Sequence, residues 1–250
     1  MAILLMLTIH WYSSLFFQSV FHHRYAAHGV YSMSPFWEKM FFIGSFLTQG
    51  TSYISASAYG IMHRLHHAHT DTEHDPHSPS NSSNIFTLMW QTRNNYRDIY
   101  TKKADIPEKY MQNLPVWEKF DRIAHGWQAK AIWAILYILL YVQLATHWWM
   151  YLLLPVTLTM GALQGVAVNW WAHKFGYENY KMKNTSKNIL PLDILFWGEA
   201  YHNNHHKHPN RPDNAHRWYE WDMGYKALVV LEKLRIVKIK RAVVKPIALQ

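Results

Sequence analysis

Three short sets of histidines carry the chemistry this sequence offers: His23/His28, His63/His66/His67 and His202/His205/His206. His63, His66 and His67 stand at i, i+3 and i+4, and His202, His205 and His206 repeat the pattern. On a helix those positions share one face a turn apart, so each set offers three imidazoles at once, and neutral imidazole is the commonest protein metal ligand. Eight such nitrogens exceed what one ion takes and suit two. The chain has 18 histidines in 250 residues. Random placement would give an HxxHH string about 0.1 times, so two copies ask for a functional reason. His23 and His28 are five apart. That spacing does not align on a straight α-helix, which predicts that one of them sits where a helix ends. The ligand set alone does not choose the metal, because imidazole suits iron, zinc, copper and nickel alike. Cysteine is absent, which excludes disulfides, zinc-thiolate sites and an iron–sulfur cluster of the chain's own.

Bringing these sets together is a task for membrane helices. Residues 131–171 contain no Lys, Arg, Asp or Glu, and neither do residues 1–21. The first run suits two crossings of about 20 residues each and the second suits one. The expected fold is therefore all-α and integral to the membrane, a single domain with spans near 1–22, 131–148 and 150–171. A helical hairpin should turn near Thr146 to Trp149. All 25 Lys and Arg lie in residues 22–130 (11) and 172–250 (14). Positive segments stay cytoplasmic, so 63–130 and 172–250 form a cytoplasmic, histidine-rich cap, the N-terminus lies outside, and residues 1–22 are a retained anchor. The net charge of +9 does not signal nucleic acid, because the basic residues are scattered between apolar spans.

Residues 36–62 are apolar but studded with polar residues such as Gln49, Thr51 and Ser55. A full crossing here would put the first two histidine sets on opposite faces, so interfacial or re-entrant helices are expected. Residues 70–84 read as a turn-rich loop, and 94–130 as amphipathic helix and loop. The segment 227–244 alternates Leu, Ile and Val with Lys and Arg, which suits a helix or tail on the membrane surface.

The strings His23-Arg-Tyr-Ala-Ala-His28, His63-Arg-Leu-His-His67 and Gly198-Glu-Ala-Tyr-His-Asn-Asn-His-His206 resemble the three histidine boxes of the membrane fatty-acyl desaturases, most closely the acyl-CoA Δ9 (stearoyl-CoA) type in a short bacterial form. The likeness extends to Asp75-Pro-His77 and to Asn169-Trp-Trp-Ala-His173-Lys-Phe-Gly, and runs from about His10 to Trp221. It implies His173 as a ninth ligand and Asn169 as a ligand through water. It also implies two iron ions, O2 as co-substrate, a fatty acyl substrate carried on CoA or lipid, and a double bond at Δ9. Zinc can replace iron in a purified sample, since it binds nitrogen sites more tightly than ferrous iron. Family members commonly have a further helix before the first box, where this chain shows one apolar span. No His-Pro-Gly-Gly haem string occurs, so an external electron donor such as ferredoxin or cytochrome b5 is expected, with the bacterial cytoplasmic membrane as the location.

Around the ligands, Glu199 precedes His202 by three residues and is placed to orient its ring, with Asp71, Asp75 and Asp193 as similar candidates. His69, His74, His77, His208 and His216 are assigned to polar loops, His22 to packing or solvent, and His10 and His147 to structural roles. A hydrophobic tunnel is expected along the first helix, walled by Trp11, Tyr12, Phe16 and Ser19, with Trp11 as a chain-length stop. Arg93, Arg97, Lys102 and Lys103 are headgroup candidates. A hydroxylase or alkane monooxygenase shares the same boxes, and a histidine-rich metal transporter or sensor is the non-enzyme alternative.

Overall fold

The computed structural model describes residues 1–240. Helix α1 (Ala2–Phe17) continues without a break into a π-helical segment, Gln18–Ala27, and the 26-residue rod is apolar enough to cross a bilayer. A short strand, β1 (Tyr31–Met33), follows. Ser34 then accepts a hydrogen bond from the Trp37 amide, and Pro35 occupies the first turn, where its missing N–H costs nothing. Together they start α2 (Pro35–Gln49), which breaks at Gly50 into one 3-10 turn before α3 (Ala56–His69). At 15 residues α2 is about 22 Å long, short of the ~30 Å hydrocarbon core. His28 before it and His63 after it end 2.9 Å apart. The segment between them therefore leaves from and returns to one level and makes no net crossing.

Asn84 caps α4 (Ile85–Tyr100), nine residues earlier than the amphipathic stretch read from sequence. A short α5 (Glu118–Ala124) leads to α6 (Trp127–Leu144), about 27 Å long by its 18 residues. Ile132, Ile135, Leu136, Ile138, Leu139 and Leu140 are exposed on α6. Each such side chain gains about 1.5–3 kcal/mol from an apolar surrounding, so this surface requires lipid.

The return leg is not the straight helix expected from the uncharged run. A 3-10 turn (Trp148–Leu153), α7 (Leu154–Leu158) and α8 (Met160–Asn169) are bent by 64° at Thr159. The backbone groups freed at the bend find partners in the loop after α2. Thr51 Oγ1 donates to the Leu158 carbonyl at 2.7 Å, and the Gly161 amide donates to Ser52 Oγ at 3.1 Å. A broken span is tolerated in a membrane where neighbours satisfy it in this way. With two full-length helices and this bent leg as a third, the chain is an integral membrane helical protein.

The last elements are α9 (His202–Lys207), α10 (Met223–Lys233) and β2 (Val237–Ile239). The helix or tail expected over 227–244 is helical only as far as Lys233, where α10 ends; beyond it β2 pairs antiparallel with β1, Ile239 opposite Tyr31 and Val237 opposite Met33. Val237 and Ile239 are buried and Lys238 exposed, a period of two that the Lys/Val alternation carried and the helical reading missed. Residues 241–244 lie outside the described residues. The main core gathers Val20, Phe21, Phe41, Phe42 and Leu228, so it fastens the π segment between α2 and α10.

Candidate metal centre

The π segment explains the first histidine pair. The His28 amide donates to the His23 carbonyl, five residues back, at 3.2 Å. In i→i+5 geometry residues five apart stand one above another, and π turns concentrate at functional sites. His23 and His28 therefore form one row, and Ser19 and Arg24 form a second. The expectation that one histidine sits at a helix end is half the account: His28 is the C-cap, and the change of helix type aligns it with His23. Helix α3 packs against this segment and brings His63, His66 and His67, while α9 brings His202, His205 and His206.

These elements gather nine histidines into two groups, His23, His28, His63, His67 and His205, and His66, His173, His202 and His206. Within each, one ring nitrogen per residue lies within 4.8 Å of all the others. In the first group Nε2–Nε2 separations are 3.0 Å (His23–His205), 2.9 Å (His28–His63), 3.0 Å (His63–His67) and 2.8 Å (His67–His205). In the second they are 3.2 Å (His66–His206), 3.0 Å (His173–His202) and 3.0 Å (His202–His206).

The donor chemistry fits metal ions. His23 Nδ1 faces Glu199 Oε2 at 2.7 Å, His66 Nδ1 faces both Asp75 oxygens at 2.9 Å, and His173 Nδ1 faces Thr185 Oγ1 at 3.1 Å and Asp71 at 3.5 Å. A neutral imidazole has one N–H, and these acceptors hold it on Nδ1. In these three rings Nε2 then carries a lone pair, which faces the other ring nitrogens of its group. Protons cannot relieve this. Burial first, and neighbouring histidines second, push the ring pKa of His28, His63, His67, His202, His205 and His206 well down, and burial lowers His66 to about 3. Neutral rings converging in a buried site are the protonation state a metal requires.

Three carboxylates hold these rings, one differently from expectation. Glu199 reaches His23, not His202. It precedes α9 and so lies on the side of the π segment. Ser19 Oγ donates to Glu199 Oε1 at 2.6 Å, and Arg24 lies 3.8 Å from the same oxygen. Burial alone would raise the Glu199 carboxyl, but His23, Arg24 and Ser19 bring it below its ordinary value. Arg24 also donates to Asp222 Oδ2 at 2.7 Å, and Asp222 accepts from the Tyr225 amide to cap α10. This buried clamp explains Gly198: a Cβ there would sit 2.1 Å from Asp222 Oδ1, and its φ of +89° already disfavours a side chain. Asp71 ties the second group to the loop before α9 by accepting from the Thr185 amide at 2.7 Å.

Other candidates fall elsewhere. Asp193 touches no histidine; its carboxylate accepts four amides, those of Leu195, Phe196, Gly198 and Ala200, and folds the loop that leads to α9. Ser19 is fully buried in the Glu199 clamp and walls no tunnel. Trp11 donates its indole N–H to the Leu195 carbonyl at 2.9 Å and packs edge-on against Phe196, whereas Tyr12 and Phe16 line an open apolar groove. Asn169 closes α8 four residues before His173. Arg93, Arg97, Lys102 and Lys103 are exposed and do not converge: Arg93 lies over Trp90, Arg97 by Asp98 and Lys102 by Glu118.

His22 is buried, its ring nitrogens 3.2 Å from the Phe17 carbonyl and 3.1 Å from that of Ile54. His77, assigned to a polar loop, is also buried, its ring 4.3 Å from that of His66 and both nitrogens without a hydrogen-bond partner among the described residues. The Asp75-Pro-His77 string was the available signal. Arg24 was visible inside the first histidine string, but nothing in the sequence links it to Asp222.

A helical membrane protein whose spans end at two neighbouring histidine groups defines a class, the integral membrane proteins with histidine groups able to hold metal ions. Within that class the chain belongs to the fatty acid desaturase family, which it matches over residues 1–225. It is similar to the Delta-9 desaturase-like 5 protein of Arabidopsis thaliana (26% identical, covering 85% of this chain and 68% of that one). It is likewise similar to the sn-1 stearoyl-lipid 9-desaturase of Anabaena variabilis (26%, 85% and 74%) and to the hex-5-enoyl-[acyl-carrier protein] acetylenase of Moorena producens (25%, 91% and 73%).

Proposed function

We propose that this chain introduces a cis double bond at Δ9 into a saturated, lipid-esterified acyl chain. The observation that carries the proposal is the pair of histidine groups with converging ring nitrogens, five in one and four in the other. Family membership and relatives named as 9-desaturases support the reaction, and relatives named for stearoyl-lipid and acyl-lipid support the carrier.

In this reading the nine histidines hold two iron ions, with Asn169 reaching one through water. Bound there, the iron pair supplies the activation of O2 and the removal of hydrogen from an unactivated methylene, which no side chain can perform. The overall balance is a –CH2–CH2– unit plus O2, two electrons from an external donor and two protons, giving –CH=CH– and two waters. The chain's own residues fix the site. Glu199 beside His23, Asp75 on His66, and Thr185 on His173, itself held by Asp71, would keep the Nδ1 protons in place and so keep each Nε2 free to ligate. The cytoplasmic face is the side that meets the electron donor.

The test is expression with a reductase and electron carrier in a host that makes no unsaturated chains, followed by analysis of its lipids. Cis-Δ9 monounsaturated chains should appear and should vanish in His66→Ala. Hydroxylated chains, or no oxidised lipid despite confirmed iron loading, would refute the reading.

A further inference from the structure

Residues 174–201 leave the histidine groups and come back to them. His173 Nε2 stands 3.0 Å from His202 Nε2, so the two ends of the segment meet at one level. The basic stretch 172–250 that contains it is expected in water, yet residues 188–206 carry no Lys or Arg, and Leu192, Ile194 and Leu195 are exposed.

Helix α1 fixes the depth of these side chains. Trp11 donates its indole N–H to the Leu195 carbonyl at 2.9 Å, and Tyr12 donates its hydroxyl to the Ile194 carbonyl at 3.0 Å. Trp11 is the central residue of the uncharged run 1–21, about 15 Å along the helix from either end. Side chains on a helix lean toward its N-terminus, here the end away from the histidines, so the reach of the two rings does not lift the loop toward the metal-binding face. A second span gives the same level. His10, next to Trp11, packs on Tyr137 with ring centroids 5.4 Å apart, and Tyr137 is the eleventh of the 18 residues of α6. The far end of α1 is pinned likewise, with Ile3 against Tyr141 and Met150 at the turn that follows α6. Two helices therefore agree that the loop is held near the middle of the hydrocarbon core and not at its border.

Irregular backbone persists at such depth only where the protein itself satisfies its polar groups. Asp193 does this. Its fully buried carboxylate accepts the amides of Leu195, Phe196, Gly198 and Ala200 at 2.7–3.1 Å, and its own amide donates to Tyr201 Oη at 3.0 Å. Trp11 and Tyr12 supply the donors for two of the carbonyls. The one charged residue among 188–198 is thus turned inward, and the side chains turned outward are hydrocarbon.

We propose that residues 189–197 form a re-entrant loop, which enters the bilayer beside α1 from the face that carries the histidines, and that its apolar tip is a binding surface for the acyl chains of bilayer lipid. The loop runs directly into α9, so the third histidine set is anchored from within the membrane. This holds whichever reaction the histidines support.

The chain has no cysteine, so a nitroxide can be placed at single introduced thiols of the full chain in phosphatidylcholine liposomes. Collision broadening by O2, which concentrates in hydrocarbon, and by a water-soluble nickel chelate reads the surroundings of each label. Ile135 is exposed at the middle of α6 and Lys183 is exposed outside the apolar tip, so they serve as the lipid and water references. Ile194→Cys and Leu192→Cys should follow Ile135→Cys, with full broadening by O2 and loss of broadening by the chelate. Chelate broadening equal to that of Lys183→Cys would place the tip in water and overturn the proposal. A label that neither agent reaches would overturn it too, since protein and not lipid would then cover the tip. Either position decides alone if the other variant fails to fold.

Discussion

His23 and His66 belong to different histidine groups, and each faces its own carboxylate, Glu199 at 2.7 Å and Asp75 at 2.9 Å. Partners of this kind are worth about 10–100-fold in metal affinity. Glu199→Gln should therefore weaken retention in the five-nitrogen group, and Asp75→Asn in the four-nitrogen group, each by that factor. Chelator titration of the iron-loaded protein reads this directly: each single variant shifts one of two release phases and the double variant shifts both. A single variant that shifts both phases equally would refute the assignment of carboxylate to group. The sequence shows which residue types do the chemistry, because histidine at i, i+3 and i+4 is a local pattern. It does not show which carboxylate serves which ring. Glu199 was matched to the neighbour one turn away, His202, yet the fold hands it to His23. Arg24 and Asp222 meet across 198 positions with no periodicity to announce them.

At the scale of elements, the alignment of His23 with His28 rests on the π segment, and its place against His63 rests on how closely α3 approaches it. Gly60 is the point of approach. A Cβ there would lie 2.8 Å from Leu114 Cδ2 and 3.1 Å from the Ala26 carbonyl oxygen, the second being backbone that cannot give way. Gly60→Val should push α3 off the π segment, cost about 1–3 kcal/mol as overpacking does, and release iron together with the loss of stability. Gly165 on α8 is the control, since no atom lies within 4 Å of a Cβ built there. Gly165→Ala should keep its iron and gain roughly 0.5–1 kcal/mol from helix propensity. Thermal unfolding in detergent with iron content followed in parallel checks the pair, and equal behaviour of the two variants would refute the close-approach argument. Neither the π geometry nor the 64° bend at Thr159 was legible in the sequence. Both depend on partners supplied from elsewhere, the core packed around Phe21 for one and Thr51 and Ser52 for the other. The strand at Val237–Ile239 was legible, in the alternation that was read as a surface helix or tail.

At the scale of the molecule, the uncharged runs were enough to read an all-α membrane protein with two or three candidate spans, because the bilayer filters sequence by length and charge more severely than any packed core does. They also set a testable sidedness. Three crossings, with no net crossing between His28 and His63, place the N-terminus and the α6–α7 turn on one face and both histidine groups on the other. All 25 Lys and Arg lie in residues 22–130 and 172–250, so the positive-inside rule predicts that this second face is cytoplasmic. The absence of cysteine allows a clean measurement, since any introduced thiol is the sole one. Ala2 and His147 are exposed on the first face, Lys102 and Lys183 on the second. In intact cells a membrane-impermeant maleimide should label Ala2→Cys and His147→Cys, and should reach Lys102→Cys and Lys183→Cys only after permeabilisation. Labelling of His147→Cys and Lys102→Cys from the same side would mean that α6 does not cross, and the histidine groups would then need another route to the acyl chain.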